Sequence, residues 1–349
     1  MRAALVVPVP FDTVSGGYAY DRRMVDGLRA VGHAVEVLEL PGRHAPADAE
    51  AAAAAAALFA ALPPDTIPVI DGLALPAFAG QAETLATRRT VALIHHPTAL
   101  ETGLREADSA ALRAIERNLL PRLPRVIATS QATSLSLSVE FGVPADRIAV
   151  VMPGTDDAPR AQGSGGPGCA ILSVGAVVPR KGHDMLLRAL ARLFDLDWAL
   201  TIVGTTARDP VHADGVAALA DELGIGPRVV LAGEVDDTAL AALWHRADLF
   251  ALATHWEGYG MAVAEALKRG VPVAVTNGGA AAALVTEQCG VVCPTGDVDQ
   301  FSKALRRLVF NPGLRADFAE AAWHVGQTLP DWPAQVRAFA TALAFAQAQ

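Results

Sequence analysis

Two glutamates with a fixed spacing are the residues that most directly suggest chemistry in this chain. Glu257 and Glu265 lie eight positions apart around a turn that contains Gly258 and Gly260. The glycines allow a tight turn and leave backbone N–H groups free at the start of a helix, where anions bind. At a helical rise of about 1.5 Å per residue the carboxylates would lie on the order of 10 Å apart, farther than the roughly 5–9.5 Å of a glycosidase acid–base pair. The spacing therefore favours contacts to two ends of one long polar ligand.

A basic pair, Arg180 and Lys181, is the second candidate. The chain has three lysines, at positions 181, 268 and 303, so a lysine inside a possible site motif is more informative than usual. The pair precedes Gly182 in a predicted loop between a strand and a helix. Two adjacent cations in such a loop can bind an anion, and the competing interpretation is a solvated charged turn.

Glycines and histidines follow two predicted strands in the first half of the chain. Gly16 and Gly17 come after the first apolar run and open the first helical pattern, where backbone N–H groups can approach a phosphate. His95 and His96 follow the apolar run 91–94. In an open α/β sheet the carboxyl end of a strand points into the ligand crevice. We expect both pairs to contact ligand, and we assign no general base among them.

The elements that must position these residues alternate between strand and helix patterns. In the first half, apolar runs of strand length occur at 3–8, 35–40, 67–71, 91–95, 126–129 and 148–152. The second half repeats the series at 170–174, 199–203, 229–231, 249–253, 271–275 and 290–293. Helices in that half are predicted to begin near positions 182, 215, 237, 260, 279 and 299. This alternation predicts an α/β protein with βα units and parallel sheets.

A segment without apolar periodicity separates the two series. Residues 153–168 are dense in glycine, proline and aspartate, which is typical of a linker. A chain of 349 residues fits two domains. We predict a Rossmann-like domain over 1–160, a second over 161–330, and a last helix over 331–349 that packs back on the first. The GxGxxG pattern at 163–168 precedes a strand instead of following one, so it does not indicate a dinucleotide site.

The second half of the chain resembles the retaining family 4 glycosyltransferases, also called group 1 glycosyltransferases. Glu257-Gly-Tyr-Gly260 with Glu265 and Gly270-Val-Pro272 is similar to the Glu-x7-Glu signature of that family. Further similar segments lie at 151–156, 173–175, 179–182, 202–204, 231–235 and 247–250, so the resemblance covers nearly the whole chain. It implies a GT-B fold, in which two Rossmann-like domains face each other across a cleft.

The resemblance also implies a role for each candidate residue. Glu257 would hydrogen-bond the hydroxyls of the donor sugar and Glu265 those of the ribose, while the basic pair would neutralise the leaving diphosphate. Fixed cations can stabilise that charge without a metal. The turn 233–236 would lie against the nucleobase, and His95 would contact the donor sugar and the reacting centre. We therefore predict catalytic roles for His95, Glu257, Arg180 and Lys181, and donor contacts for Gly16, Gly17, His96, Val235, Gly258, Tyr259, Gly260, Met261 and Glu265.

Together these similarities predict retaining transfer of a sugar from a nucleoside diphosphate donor to an unidentified acceptor hydroxyl, with no metal or other cofactor. The chain departs from the family at two places. Ala176 stands where the family often has arginine, and the glycines at 278–279 are followed by alanines instead of glutamate. The DxD patterns at 195–197 and 297–299 match the metal-binding motif of a different glycosyltransferase fold. They lack the strand context of that motif, so we interpret them as loop residues.

The composition limits other classes of function. A formal net charge of -9, from 28 basic and 37 acidic residues, argues against a nucleic acid partner. Three cysteines, at 169, 289 and 293, are too few for a disulfide framework and lack a second ligand pair for zinc, so buried reduced thiols are expected. No apolar run reaches the roughly 20 residues of a membrane-spanning helix. The N-terminus does not resemble a signal peptide, and we expect a cytoplasmic protein.

Three alternatives remain beside sugar transfer to a small-molecule or glycan acceptor. A nucleotide-sugar 2-epimerase of the same fold would need acid–base residues around C2 of the sugar. A non-catalytic binding protein would be expected to lose some of the glutamates and cations named above, all of which are present. An enzyme docked on a membrane and acting on lipid-linked acceptors would use the arginines between 105 and 125, but the acidic residues between 101 and 116 nearly cancel their charge.

Overall fold

Strands and helices alternate along the chain, as the apolar pattern predicts. A computed structural model describes residues 1–348, with side chains described through Ala346. The chain divides into two units. The N-terminal unit comprises Met1–Gly154 and the segment from Pro330 onward, and the C-terminal unit comprises Thr155–Leu329. Each unit contains a six-stranded parallel sheet, which confirms the predicted α/β class.

The sheet of the N-terminal unit has the strand order β2-β1-β3-β4-β5-β6. Its strands are β1 (Arg2–Pro8), β2 (Ala34–Leu40), β3 (Thr66–Asp71), β4 (Val91–Ile94), β5 (Arg125–Ala128) and β6 (Ile148–Val150). Every residue of β3 and β4 is buried, because parallel strands are covered on both faces. The connections change direction between β1 and β3, so the carboxyl ends of β1, β3 and β4 surround a position where such sheets bind ligands.

Helices of the N-terminal unit follow its strands. They are α1 (Gly16–Ala30), α2 (Ala49–Ala61), α3 (Ala82–Thr87), α4 (Glu106–Leu119) and α5 (Gln131–Phe141). Ser15 caps α1 by accepting a hydrogen bond from Tyr18 N at 3.2 Å. Asp48 caps α2, whose run of alanines has high helix propensity.

The sheet of the C-terminal unit has the order β9-β8-β7-β10-β11-β12. Its strands are β7 (Cys169–Val174), β8 (Trp198–Val203), β9 (Val229–Gly233), β10 (Leu249–Leu252), β11 (Val273–Thr276) and β12 (Gly290–Cys293). This is the strand order of a Rossmann fold, with its switch point between β7 and β10. Cys169, Cys289 and Cys293 are all buried and free, as predicted.

Helices of the C-terminal unit are α6 (His183–Ala191), α7 (Pro210–Glu222), α8 (Asp237–Arg246), α9 (Met261–Lys268), α10 (Val298–Phe310) and α11 (Pro312–Thr328). The predicted start of α7 near Gly215 is wrong. Asp209 caps this helix by accepting from His212 N at 3.0 Å, and proline takes the first helical position. The helix predicted near position 279 is a single short 3₁₀ turn, Ala281–Leu284.

The glycine-rich segment before β7 forms neither strand nor helix, but it is not a free linker. Gln162 N donates to His245 O at 2.8 Å, and the Asp248 carboxylate accepts from the backbone N–H groups of Ser164 and Ala170. These bonds fasten the segment to the C-terminal unit. The linker interpretation is therefore wrong for this part of the segment.

The last helix, α12 (Trp332–Ala348), belongs to the N-terminal unit, where it packs on α1 and β5. The rings of Trp332 and Phe339 lie against Tyr20 of α1, with centroid separations of 6.0 and 6.5 Å. Trp332 and Phe339 are both buried. This helix completes the cover over one face of the N-terminal sheet.

Candidate active site

A loop of two glycines holds the backbone of Glu257 in the turn after β10. Glu257 N donates to Gly278 O at 3.0 Å, and Ala280 N donates to Glu257 O at 2.8 Å. Gly279 lies between these bonds with a φ of 81°, and a Cβ on it would lie 2.2 Å from Glu257 O. No residue with a side chain fits this approach. The glycine pair therefore fixes where Glu257 sits.

Arg180 and Lys181 lie in a short 3₁₀ turn after β7. His255 N, from the loop after β10, donates to Arg180 O at 2.8 Å. Gly182 has a φ of 64°, and a Cβ on it would lie 2.0 Å from Ala253 O. Because β7 and β10 are neighbours at the switch point, their following loops are held side by side.

Glu257 contacts both cations directly. Lys181 Nζ lies 2.5 Å from Glu257 Oε1, and Arg180 Nη1 lies 3.5 Å from the same oxygen while donating to Trp256 O at 2.6 Å. Thr254 Oγ1 lies 3.2 Å from that carboxylate oxygen. The exposed fractions of the Glu257 and Lys181 side chains are 10% and 13%. Water therefore screens these charges weakly.

The ionisation of this cluster is set by burial and by mutual attraction. Burial would raise the pKa of Glu257, but Lys181 and then Arg180 hold that pKa below its ordinary value. Burial lowers the pKa of Lys181, and Glu257 offsets only part of the effect. Glu257 is thus a carboxylate at neutral pH, and the Lys181 ammonium gains from any further anion that binds beside it.

Glu265 lies on α9, just over one turn from the start of that helix. Glu257 precedes the helix, so the helical rise over eight positions does not measure the separation of the two carboxylates. Burial raises the pKa of Glu265, which Arg269 partly offsets. Trp244 Nε1 lies near the carboxylate without forming a hydrogen bond of normal geometry. Arg269 donates to the backbone oxygen of Glu265 at 3.2 Å, so the carboxylate remains available to hydroxyl donors.

The remaining residues of the glycine motif frame the start of α9. Gly260, with a φ of 98°, precedes Met261, and no side chain of the described residues caps this helix. Gly258 is half-buried. Tyr259 is buried, its hydroxyl has no hydrogen-bond partner among the described residues, and burial raises its pKa to about 12. Val235, in the loop between β9 and α8, packs on the core of the C-terminal unit.

The predicted residues of the N-terminal unit meet where β1 and β4 end. A Cβ on Gly17 would lie 3.4 Å from His95 Cδ2, so the first turn of α1 rests against the imidazole. Gly16 is exposed at the start of that helix. His96 follows His95 and is half-buried. The structure thus brings Gly17 and His95 together at the carboxyl edge of the sheet.

Two buried carboxylates contact the His95 ring. His95 Nε2 lies 2.8 Å from Asp21 Oδ1 and 3.7 Å from Asp71 Oδ2. Burial, reinforced by Asp21, raises the pKa of Asp71 to about 7. Burial lowers the pKa of His95, but attraction to Asp21 and then Asp71 outweighs burial, and the net shift is upward.

The sequence analysis did not identify Asp21, Asp71 or Arg208. Asp71 ends β3, so the strand-end argument that selected His95 applies to it as well. Asp21 lies four residues after Gly17 on α1, a spacing that places both on one helical face. Arg208 follows β8 and lies near enough to Lys181 to lower its pKa. No sequence signal marked it, although it adds positive charge near Lys181.

Some acidic residues of the chain are grouped as metal ligands would be. Asp21, Asp71 and His95 have ligand atoms within 4.8 Å of one another, close enough for one ion, but the short contact of His95 with Asp21 is a hydrogen bond. The DxD aspartates have ordinary structural partners. Asp195 pairs with Arg306 at 2.6 Å, and Asp297 caps α10. In the part of the chain that the structure describes, no helix combines the length and apolarity needed to cross a bilayer.

Two family models match the chain along nearly its whole length. The model described as glycosyl transferases group 1 matches residues 156–325, and the model described as glycosyl transferase 4-like domain matches residues 4–154. The chain belongs to the group 1 glycosyltransferases. The sequence resemblance is thereby confirmed, and the two matched regions lie within the C-terminal and N-terminal units respectively.

Relatives of this group 1 glycosyltransferase agree with the assignment. The D-inositol 3-phosphate glycosyltransferase of Rhodococcus opacus is 31% identical over 270 residues, which cover 70% of this chain and 60% of that protein. The aligned chain thus spans about 60% of the length of that curated relative.

Solved structures show that the fold is GT-B. Sucrose-phosphate synthase from Thermosynechococcus elongatus superposes with a TM-score of 0.81 at 18% identity, covering 97% of each chain. HepE of Anabaena, in complex with UDP and glucose, superposes with a TM-score of 0.78 at 16% identity, covering 99% of each chain. Identities this low establish the shared fold alone. The superpositions confirm the prediction of two Rossmann-like domains.

Proposed function

We propose that this chain transfers a sugar from a nucleoside diphosphate sugar to an acceptor hydroxyl, with retention of configuration at the anomeric carbon and without a metal ion. The observation that carries the proposal is the buried cluster of Glu257, Lys181 and Arg180 at the carboxyl ends of β7 and β10. Membership of the group 1 glycosyltransferases supports the reaction class. The UDP and glucose held by HepE, a protein of the same fold, support the class of donor.

The cations have a direct role in breaking the glycosyl–phosphate bond. Negative charge develops on the leaving phosphate as that bond lengthens, and fixed positive groups stabilise it. Lys181 gives one N–H to Glu257 and has two more for phosphate oxygens. Arg180 adds a planar guanidinium suited to the same oxygens. The uncapped start of α9 supplies backbone N–H groups and the positive end of a helix dipole.

The two glutamates bind the neutral parts of the donor. Glu257 Oε1 accepts from Lys181, whereas Oε2 has no hydrogen-bond partner among the residues that the structure describes. A carboxylate oxygen in this state accepts hydrogen bonds from sugar hydroxyls. Glu265, on the next helix, accepts from the ribose, and the turn that contains Val235 lies beside the base. His95 contacts the sugar.

Retention follows from attack on the face that the phosphate leaves. The acceptor oxygen forms its bond to the anomeric carbon as the bond to phosphate breaks, and the departing phosphate takes the acceptor proton. The reaction therefore needs no protein base. Glu257 is already committed to a cation.

A transfer assay with nucleoside diphosphate sugars tests this function. Lys181→Met should lower kcat roughly a hundred- to thousandfold, because one stabilising cation is lost from a buried site. Glu257→Gln should lower kcat by a similar factor. Lys303→Met is the matched control, since Lys303 is an exposed lysine of the same unit, and should retain wild-type activity. The double variant Lys181→Met/Glu257→Gln removes both charges together. If a single variant is inactive only because an unpaired buried ion misfolds it, the double variant should recover activity.

The same assay discriminates the alternatives. Incubation with the donor alone should leave its sugar unchanged; epimerisation without an acceptor would identify a 2-epimerase instead. Binding of nucleoside diphosphates with no turnover across a broad acceptor panel would favour a non-catalytic binding protein. Full activity in Lys181→Met would refute the proposed role of the cluster.

A further inference from the structure

Three ionisable side chains of the N-terminal unit form a cluster, and the proposed reaction uses only His95 among them. His95 follows β4, Asp71 ends β3, and Asp21 lies on α1. The exposed fractions of Asp21 and Asp71 are 0% and 1%. His95 Nε2 lies within 2.8 Å of one carboxylate and 3.7 Å of the other. Burial of two carboxylates is costly unless the site compensates their charge.

The compensation in this cluster comes from the imidazole. Among residues 1–346, neither carboxylate forms an ion pair with a lysine or an arginine. Asp71 Oδ1 accepts from Leu73 N at 2.8 Å, whereas Asp21 Oδ2 has no hydrogen-bond partner in the described part of the chain. The titratable groups that face the ring are Asp21 and Tyr20 from α1 and Asp71 from β3. A positive ring between two buried acids is the arrangement that leaves the least uncompensated charge.

The contacts also fix which way the ring points. Nε2 is directed into the carboxylates, and Tyr20 packs edge-on with a centroid separation of 5.2 Å. On the Cδ2 edge, a Cβ on Gly17 would lie 3.4 Å from the ring. The His95 backbone oxygen lies 3.4 Å from the hydroxyls of Thr129 and Thr133. Within the described part of the chain no group hydrogen-bonds Nδ1, and the His95 side chain keeps an exposed fraction of 24%. Nδ1 is therefore the ring nitrogen left for a ligand.

We propose that Asp21 and Asp71 are positioning residues that hold His95 as an imidazolium, with Nδ1–H directed outward to donate to an oxygen of the bound substrate. This inference rests on the proposed transferase function. Asp21 supplies the direct hydrogen bond and sets the ring orientation. Asp71 adds negative charge at longer range and shares the cluster's proton. A fixed cationic donor of this kind is preorganised for negative charge that develops during sugar transfer.

Asp21→Asn tests the proposal in the full-length chain. The variant keeps the shape of the side chain but removes the charge that favours the imidazolium. We expect kcat to fall roughly ten- to a hundredfold, the equivalent of one charged hydrogen bond, with little change in KM for the donor. Asp21→Asn combined with His95→Gln should lose no more activity than His95→Gln alone. Glu140→Gln, a carboxylate of the same unit that bonds Ser136 and Arg113, is the control and should retain activity.

The pH dependence separates positioning from a merely structural role. Because the carboxylates raise the pKa of His95, the imidazolium persists to higher pH, and activity that needs it declines as pH rises through that pKa. Removing the Asp21 charge lowers the pKa, so this decline should move to lower pH in Asp21→Asn. NMR titration of the histidine side chains, with the His95 resonance assigned from His95→Gln, should show the same shift without any substrate.

The outcomes are distinct from those of the function test. An active wild type whose Asp21→Asn variant keeps both its kcat and its His95 titration would overturn the positioning role. A wild type inactive with every donor would refute the transferase proposal, while the NMR titration would still test the network. Tight binding of one Zn²⁺ per chain by the wild type but not by Asp21→Asn would also overturn the proposal, because the ring would then bind a metal through Nε2 instead of a proton.

Discussion

The hydroxyl oxygen of Tyr259 distinguishes a ligand contact from a packing contact at this position. It lies inside the glycine motif, and its hydroxyl is buried without a partner among the described residues. Such a group costs stability unless something else, such as a bound donor, completes its hydrogen bonds.

We predict that Tyr259→Phe leaves the free energy of unfolding unchanged or raises it by up to about 1 kcal/mol. Tyr18→Phe is the matched control, because the buried Tyr18 hydroxyl donates to Pro8 O at 3.0 Å, and its loss should cost about 1 kcal/mol. Urea unfolding of both variants checks this. Equal destabilisation by the two substitutions would show that Tyr259 has a protein partner after all.

At the residue scale, the sequence predicted which side chains matter in the C-terminal unit better than it predicted their contacts. Glu257 and Lys181 were selected from the motif and from the rarity of lysine. Their 2.5 Å contact could not be foreseen, because it depends on β7 and β10 being neighbours, although they are separated by two strands along the chain. Asp21 and Asp71 were missed since neither belongs to a motif, and only the folded sheet brings them to His95.

At the scale of elements, α12 packs on helices and strands that lie far from it in the sequence. It lies on α1, where a Cβ on Gly27 would come 2.3 Å from Val336 Cγ2. Phe339 is 3% exposed and packs near Tyr20, which in turn contacts the His95 ring. The helix therefore supports the wall of the candidate site as well as the core of the N-terminal unit.

We predict that Phe339→Ala lowers the free energy of unfolding of the N-terminal unit by roughly 3–5 kcal/mol, the usual cost of a large cavity. Hydrogen exchange should accelerate in α1 and β5 more than in α9 or β10, which lie in the other unit. Phe310→Ala, at a position 73% exposed, should change stability by no more than about 0.5 kcal/mol. Uniform acceleration across both units would contradict this assignment of α12.

The alternation of elements was predictable because buried parallel strands give short apolar runs between turn residues. Strand existence therefore followed from the sequence more reliably than helix boundaries did. The start of α7 was misplaced because the cap Asp209 and the proline after it were not used. α11 was not predicted, although Asn311 caps it by accepting from Leu314 N at 3.0 Å. The segment 161–168 has no apolar pattern, and the hydrogen bonds that fasten it join side chains and backbone far along the chain.

At the scale of the whole molecule, the positive charge near the proposed diphosphate site is opposite in sign to the net charge of the chain. The chain carries a formal net charge of -9, which would repel a nucleoside diphosphate at long range. We therefore expect binding to depend on the few cations concentrated near β7 and β10, namely Arg180, Lys181 and Arg208. By this argument the composition argues against a nucleic acid partner, but it could not show where the positive charge is collected.

The most direct test of the central claim is a crystal structure of the chain with the nucleoside diphosphate sugar that most raises its melting temperature. We predict that the diphosphate oxygens lie within hydrogen-bond distance of Lys181 Nζ and the Arg180 guanidinium, with the ribose hydroxyls on Glu265 and sugar hydroxyls on Glu257. A donor bound in the crystal away from all four of these side chains would contradict the account.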